Sequence, residues 1–333
     1  MKKYVKTLSV LLTLPLLFIS CATTSKISSS SFEESVLNSK SLSSSNAKEY
    51  YEASANCIRS GDFEGVEYII NEWDKEAPKD ADLYTMKYNL LFNKGYVPQM
   101  KMSETIPDVP QYFSTVGEKT NKKVYVYQEI VKDEELITEA LSYLEQALVI
   151  HPNRLDIWFG LMTSCIQADR YDKAFSTYSK LLNQLKQNKN RWIYTLNEDV
   201  EGNYIEGGND NQVADILCEY IQQLYEKNTT ESIAAGQKMS KMILDVMPTN
   251  LVVLFRISIY EYSLGNVDKG ISILEKAFEQ DPSNLDIIQN LAIMNALQKR
   301  RSEFDVYYKL LMDSGEEGYI KSAQALLQDN FED

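Results

Sequence analysis

From residue 47 to residue 318 the apolar positions recur at helical spacing, and the helical stretches themselves recur every 34 residues. Apolar residues at i, i+3, i+4 and i+7 give each stretch one oily face. Turn signals such as Gly61-Asp62 and Gly265-Asn266 divide a unit into two helices. Pro78, Pro152 and Pro282 close units, because a proline cannot continue the second helix. Two antiparallel helices cannot bury their apolar faces alone, so the units must stack on one another. Before residue 47 the pattern differs. An apolar run at 8–19 follows Lys2, Lys3 and Lys6, and 22–46 is polar and rich in serine, without a helical period.

Within the units, particular residues fall in register. In 155–188, Trp158, Leu161, Ala174 and Tyr178 stand at unit positions 4, 7, 20 and 24, and the segment before it supplies Ala140, Leu144, Ala147 and Pro152. The stretch 251–284 gives Ile257, Leu274, Ala277 and Pro282; 285–318 gives Leu291, Ala292 and Tyr308; 47–80 gives Tyr50, Ile70 and Pro78. This pattern resembles the tetratricopeptide-repeat family over residues 47–318. The resemblance implies an all-α, right-handed solenoid of about six helical hairpins, with a capping helix near 318–328 in a C-terminal segment 319–333. Gly270 and Phe304 depart from the small residue usual at position 20, and looser packing is expected there.

The spacing between unit starts locates two insertions. From 81 to 155 there is one unit plus about 40 residues, which places extra chain at about 96–132. It holds Pro107, Pro110 and the alternating Val124-Tyr125-Val126-Tyr127, which predicts a short strand. From 155 to 251 there are two units plus about 28 residues, which places the second excess at about 187–210, with Trp192, Tyr194, Tyr204 and Gly202, Gly207, Gly208. Loops longer than about 12–15 residues are usually functional or disordered.

Charge and composition narrow the function. The formal charge is −14, which disfavours nucleic acid as a partner. His151 is the one histidine, so a two-histidine zinc site is excluded and any Ser-His or Cys-His mechanism would have to use it. It precedes Pro152 in a linker, where a structural role is expected. Cys57, Cys165 and Cys218 are widely spaced and odd in number, which predicts small buried residues in place of a disulfide framework. The acidic run near 197–208 lacks the glutamate that a calcium loop needs at its twelfth position, where Gly208 stands. Asp133-Glu134-Glu135 and Asn228-Thr229-Thr230 read as helix starts. No catalytic residues, cofactor or metal are expected.

By resemblance to the family, a concave groove is lined by positions 2, 5, 9 and 12 of each first helix, here including Tyr51, Asn89, Phe92, Phe159, Thr163, Phe255, Ile259, Tyr262 and Ile293. The lysine–asparagine clamp by which some members hold a peptide carboxylate is missing, since Tyr51 and Ala55 occupy its first pair of positions. An interaction scaffold for other proteins or peptide segments is therefore expected, with Tyr125, Tyr127 and Trp192 as added loop contacts. A small-molecule or glycan binder, using Trp192 and Tyr194 as an aromatic platform, is the alternative.

The N-terminus bears on location. The apolar run 8–19 is 12 residues long, too short to span a bilayer, which needs roughly 17–25. It ends in Phe18-Ile19-Ser20-Cys21, which resembles the cleavage box of bacterial lipoproteins. That resemblance implies a signal peptide at 1–20, a lipid on Cys21, a serine-rich linker to residue 46 and a membrane-anchored, extracytoplasmic protein. Loss of Lys2, Lys3 and Lys6 would take the charge from −14 to −17. A fatty-acid analogue should label the wild-type chain and leave Cys21→Ala unlabelled; equal labelling of both would refute the anchor.

Overall fold

A computed structural model describes residues 41–109, 111–116, 122–193, 204–205 and 210–332. The expected signal peptide and Cys21, together with residues 197–202 and Tyr194, lie outside the described residues. The chain forms α1 (Ala47–Ser60), α2 (Phe63–Glu76) and α3 (Ala81–Lys94), then β1 (Tyr96–Ser103), β2 (Tyr112–Val116) and β3 (Lys123–Lys132). Next come α4 (Glu134–Ile150), α5 (Leu155–Gln167), α6 (Tyr171–Gln187), β4 (Trp192–Ile193) and β5 (Tyr204–Ile205). The remainder is α7 (Asp210–Lys227), α8 (Thr230–Val246), α9 (Leu251–Ser263), α10 (Val267–Gln280), α11 (Leu285–Leu297), α12 (Arg301–Asp313) and α13 (Glu317–Phe331). Paired as α1/α2, α3/α4, α5/α6, α7/α8, α9/α10 and α11/α12, the helices make a solenoid of hairpins.

Local chemistry starts each helix. Asp62, Asp80, Asp133, Asn250 and Asn284 accept first-turn amides as N-caps, and Thr229 with Ser232 forms a reciprocal capping box. In four of the hairpins the turn has a left-handed residue at position 15, and in the α7/α8 hairpin Asn228 (φ 53°) takes that conformation. Gly61 (φ 75°) and Gly265 (φ 86°) adopt it freely, and Asp169 (φ 61°) and Lys299 (φ 57°) adopt it in their own hairpins. In the second hairpin that position is Gly95, with φ −73°, and the first insertion leaves the helix there. Its two ends are closed by the Asp133 amide donating to the Gly95 carbonyl at 2.8 Å.

The insertion is a three-stranded antiparallel sheet in the order β1-β3-β2, so β1 and β2 are both edges. β3 includes the strand expected at 124–127, and β1 and β2 extend it on either side. The second insertion turns back on the array. Trp192 and Ile193 pair with Tyr204 and Ile205, and the Ile193 amide donates to the Asn153 carbonyl at 2.9 Å in the linker before α5.

Packing depends on position 20 of each unit. Ala140 and Ala174 are fully buried there. Gly236 stands 34 residues before Gly270 and takes the same place. A Cβ on Gly236 would lie 2.6 Å from the Tyr225 ring, and one on Gly270 would lie 2.8 Å from the Ser258 carbonyl. The glycines therefore tighten helix contact, and the looser packing expected at Gly270 is not found. Phe304 is not loose either. It is fully buried, with ring centroids 5.5 Å from Tyr308 and 5.0 Å from Phe331 of α13, so the bulky residue meets the capping helix.

Polar ties join the hairpins. The His151 ring donates through Nε2 to the Lys79 carbonyl at 2.7 Å, bridging two linkers. Arg154 is buried between Asp82 at 2.6 Å and Asp156 at 2.7 Å. Burial opposes its charge, but the Asp156 and Asp82 carboxylates outweigh that and raise its pKa above the usual arginine value. Asp169 accepts from Lys132 (2.6 Å) at the end of β3, from Lys227 (2.9 Å) at the end of α7, and from the Tyr171 hydroxyl (2.9 Å). One carboxylate thus ties the base of the sheet to two hairpins.

Trp158 is 6% exposed, with its Nε1 donating to the Pro152 carbonyl at 2.9 Å. Trp158→Ala should cost about 3–5 kcal/mol and lower the melting temperature clearly; a change within error would show that this hairpin is not part of the cooperative core. Asp169 gives a pH signature. Partial burial raises its pKa, but the hydrogen bonds from Lys132, Lys227 and Tyr171 prevail and hold the carboxyl well below its usual range. A depressed folded-state pKa stabilises above the unfolded value near ~3.9, and the gain is lost as pH falls through the folded value. Asp169→Asn, which keeps the left-handed backbone accessible, should cost roughly 1 kcal/mol at neutral pH after allowance for solvent screening. In urea titrations that deficit should begin to shrink below about pH 4 and go on shrinking as pH falls toward the folded-state value.

Candidate functional site

The first helices of the hairpins carry the expected groove residues, and the structure distributes them in three neighbourhoods. Tyr51, Asn89, Phe159, Thr163, Phe255, Ile259, Tyr262 and Ile293 are all half-buried, whereas Phe92 is buried and stacked between Tyr88 and Tyr96. Tyr51 lies beside the Arg154 cluster, where burial first, then Asp82 and Asp156, raise its phenol pKa. Phe159 packs on Tyr220 with ring centroids 6.0 Å apart, and the Tyr220 hydroxyl donates to the Phe159 carbonyl at 3.2 Å.

A groove of 250 Å³ lies between α7, α9 and α11, with Leu251, Val252, Phe255 and Ile287 as its apolar lining. Asp215 and Asp286 stand at its edges, and Arg256 is paired to Asp215 at 2.6 Å. Glu219 lies in the electrostatic reach of Asp215, and burial followed by that carboxylate raises its pKa. Ile259 and Tyr262 continue the same face of α9, with the Tyr262 hydroxyl accepting from Gln298 at 3.1 Å. Chemically the groove can hold apolar side chains on its floor and a cation at its acidic edge. A larger depression of 700 Å³, bordered by Lys186, Lys189 and Met247, meets this groove at Leu251.

Two of the three expected loop contacts do not stand at the surface. Trp192 is fully buried, and its Nε1 donates to Asn190 Oδ1 at 2.8 Å. The backbone bond from Ile193 to Asn153 pulls this aromatic into the core, so it is neither a partner contact nor a stacking platform. Tyr125 is 9% exposed, covered edge-on by Tyr112 at 5.5 Å with Lys123 over its ring. Tyr127 is half-buried on the same face. The exposed apolar residues of the sheet are others: Met100, Met102, Phe113 and Ile130 on one face, and Val97, Tyr112 and Val116 on the other. Their signal was alternation, with Met100 and Met102 separated by Lys101, but Pro98 and the nearby prolines make the segment read as a loop.

Nucleophilic chemistry is not prepared at the cysteines. Cys165 and Cys218 are buried, and burial pushes both thiols up to about 12, far from a reactive thiolate. Cys57 is half-buried and free. Among the described residues, no group of three or more His, Cys, Asp or Glu side chains is placed to hold a metal ion.

No curated protein matches the chain in sequence. Among solved structures it is similar to PilW, described as a widely conserved type IV pilus biogenesis factor, at 10% identity over 86% of this chain and 100% of that one, with a TM-score of 0.36. It is also similar to YrrB, described as a TPR protein with an unusual peptide-binding site, at 13% identity over 77% and 97% of the two chains, with a TM-score of 0.35. PilF of Pseudomonas aeruginosa is 8% identical over 84% and 96%, with a TM-score of 0.34. Such low scores place no ligand or partner on this chain. The sequence match is more direct: residues 133–193, which span α4, α5, α6 and β4, match the family model of the tetratricopeptide repeat.

Proposed function

We propose that this protein is an interaction scaffold held at an extracytoplasmic membrane face by a lipid on Cys21. Its groove takes an extended polypeptide segment that carries apolar and cationic side chains. Tetratricopeptide repeats are protein-interaction modules, and the match over residues 133–193 supports that part of the reading. The observation that carries the rest is the groove between α7, α9 and α11, where Phe255, Val252 and Ile287 form an apolar lining beside Asp215 and Asp286. The two carboxylates outnumber the one arginine of the groove, Arg256, which is paired to Asp215, so a lysine or arginine beside an apolar residue suits the Asp286 end better than an anion does. The membrane anchor is supported by the lysine-rich start, the short apolar run and Cys21. A glycan platform loses its support with Trp192 buried. An interaction role is also consistent with thiols that burial keeps protonated.

A photocrosslinking residue at Phe255 or Val252, in the protein expressed in its native membrane, should give discrete protein adducts. The same residue at Val149, which is 83% exposed on α4 and away from the groove, should not. Absence of adducts at 255 and 252, or equal adducts at 149, would overturn the groove as the binding surface.

A further inference from the structure

The β1-β3-β2 sheet has two unlike faces. Residues directly opposite in antiparallel strands share a face. On one face Met102, Val126 and Phe113 form a row across all three strands, flanked by Thr115–Val124, Met100–Gln128 and Pro98–Ile130. Between the tip and the basal pair Tyr96–Lys132 this face holds no charged residue. The opposite face also exposes Val97, Tyr112 and Val116, but it mixes them with charge: Lys101 paired to Glu129, and Lys123 over Tyr125. On the uncharged face Met102 and Phe113 are each 77% exposed, Met100 65% and Ile130 53%. Large exposed apolar side chains gathered on one face mark an interaction surface.

We infer that this uncharged face lies against a lipid bilayer surface. Size argues against a second copy of the chain. Three strands about 4.8 Å apart and some 20–25 Å long offer roughly 300 Å², against about 800 Å² per partner in a stable interface. Strand addition is discouraged at the β1 edge, where Pro98 has no amide to donate. Charge points the same way. Residues 96–132 contain five lysines and four carboxylates, a balance of +1 in a chain of −14, so the insertion lacks the negative charge that would set the rest of the chain as a whole against an anionic bilayer surface. Reach is sufficient. Twenty-five residues separate Cys21 from α1, at most about 85 Å of chain at 3.3–3.6 Å each, and the sheet leaves the very next hairpin. A small apolar face that could not hold a partner alone can dip into the headgroup region when the chain is already tethered there. The inference rests on the proposed lipid anchor. Labelling at Cys21 tests the anchor by itself, and a labelled chain whose sheet stays clear of lipid would sink the sheet contact alone.

The three native tryptophans, Trp73, Trp158 and Trp192, are all buried, so a single new tryptophan reports on the sheet. Phe113→Trp and Met100→Trp place it on the uncharged face, and Ser114→Trp places it on the opposite face of the same strand. Each full-length variant would be mixed with phosphatidylcholine vesicles whose acyl chains are brominated, after circular dichroism confirms native helix content. Emission from positions 113 and 100 should fall at least twofold, while emission from position 114 stays near its vesicle-free value. Vesicle binding through residues 8–19 alone would treat both faces equally. Quenching equal at 114, or absent at both 113 and 100, overturns the inference. So does a blue shift at 113 that grows with protein concentration without vesicles, which would mean that a second copy covers the face.

Discussion

Close approach of helix to helix at one repeated position is the contact on which the array rests. Each hairpin buries only part of its apolar surface by itself, and the rest disappears only when the next hairpin comes near enough. Ala140, Ala174, Gly236 and Gly270 keep that distance short, with the two glycines allowing backbone or ring contact that no Cβ would permit. At the end of the array the requirement reverses. There is no further hairpin to approach, and Phe304 fills the space together with α13. The same position thus does two jobs, one for the interior and one for the terminus.

Around that contact, the turns decide where the chain can be elaborated. A left-handed residue at the fifteenth position closes a hairpin in a few atoms, and Gly95 is the place where that closure is given up. The strands that leave there return to the same point through the Asp133–Gly95 bond, so helices α3 and α4 still pair as if the extra residues were absent. Asp169 then fixes the base of the sheet against the third and fourth hairpins, which gives the projection a set direction relative to them.

The fold was legible because its determinants are local and periodic. Prolines at Pro78, Pro152 and Pro282 and small residues at Ala140 and Ala174 each act within their own unit, so spacing alone reveals them. The fourth hairpin was harder to place, since Gly236 replaces the usual alanine and α7 is a long helix of 18 residues that starts beside undescribed chain. The site was less legible for a physical reason. Whether Trp192 faces solvent or core depends on a bond between Ile193 and Asn153, a tertiary contact with no local signature. Tyr125 is likewise covered by Tyr112, a residue on another strand. Aromatic content marks a segment as important for packing or for binding, and only the three-dimensional neighbours separate the two.

The core is not one continuous body. Val66, Ile70, Trp73, Ala77, Leu83, Met86 and Leu90 form a cluster of their own, distinct from the cluster that runs from α4 through α13. The division follows α3, which gives Leu83, Met86 and Leu90 to one side and Ala81 and Phe92 to the other. Tyr84, Tyr88 and Leu91 also pack from α3 against the larger cluster, and two polar links add to them: the His151 ring on the Lys79 carbonyl and the Arg154–Asp82 pair. A load applied from the N-terminal side would therefore pass through α3, whose opposite faces belong to the two clusters, so this one helix couples the leading hairpin to the rest of the array.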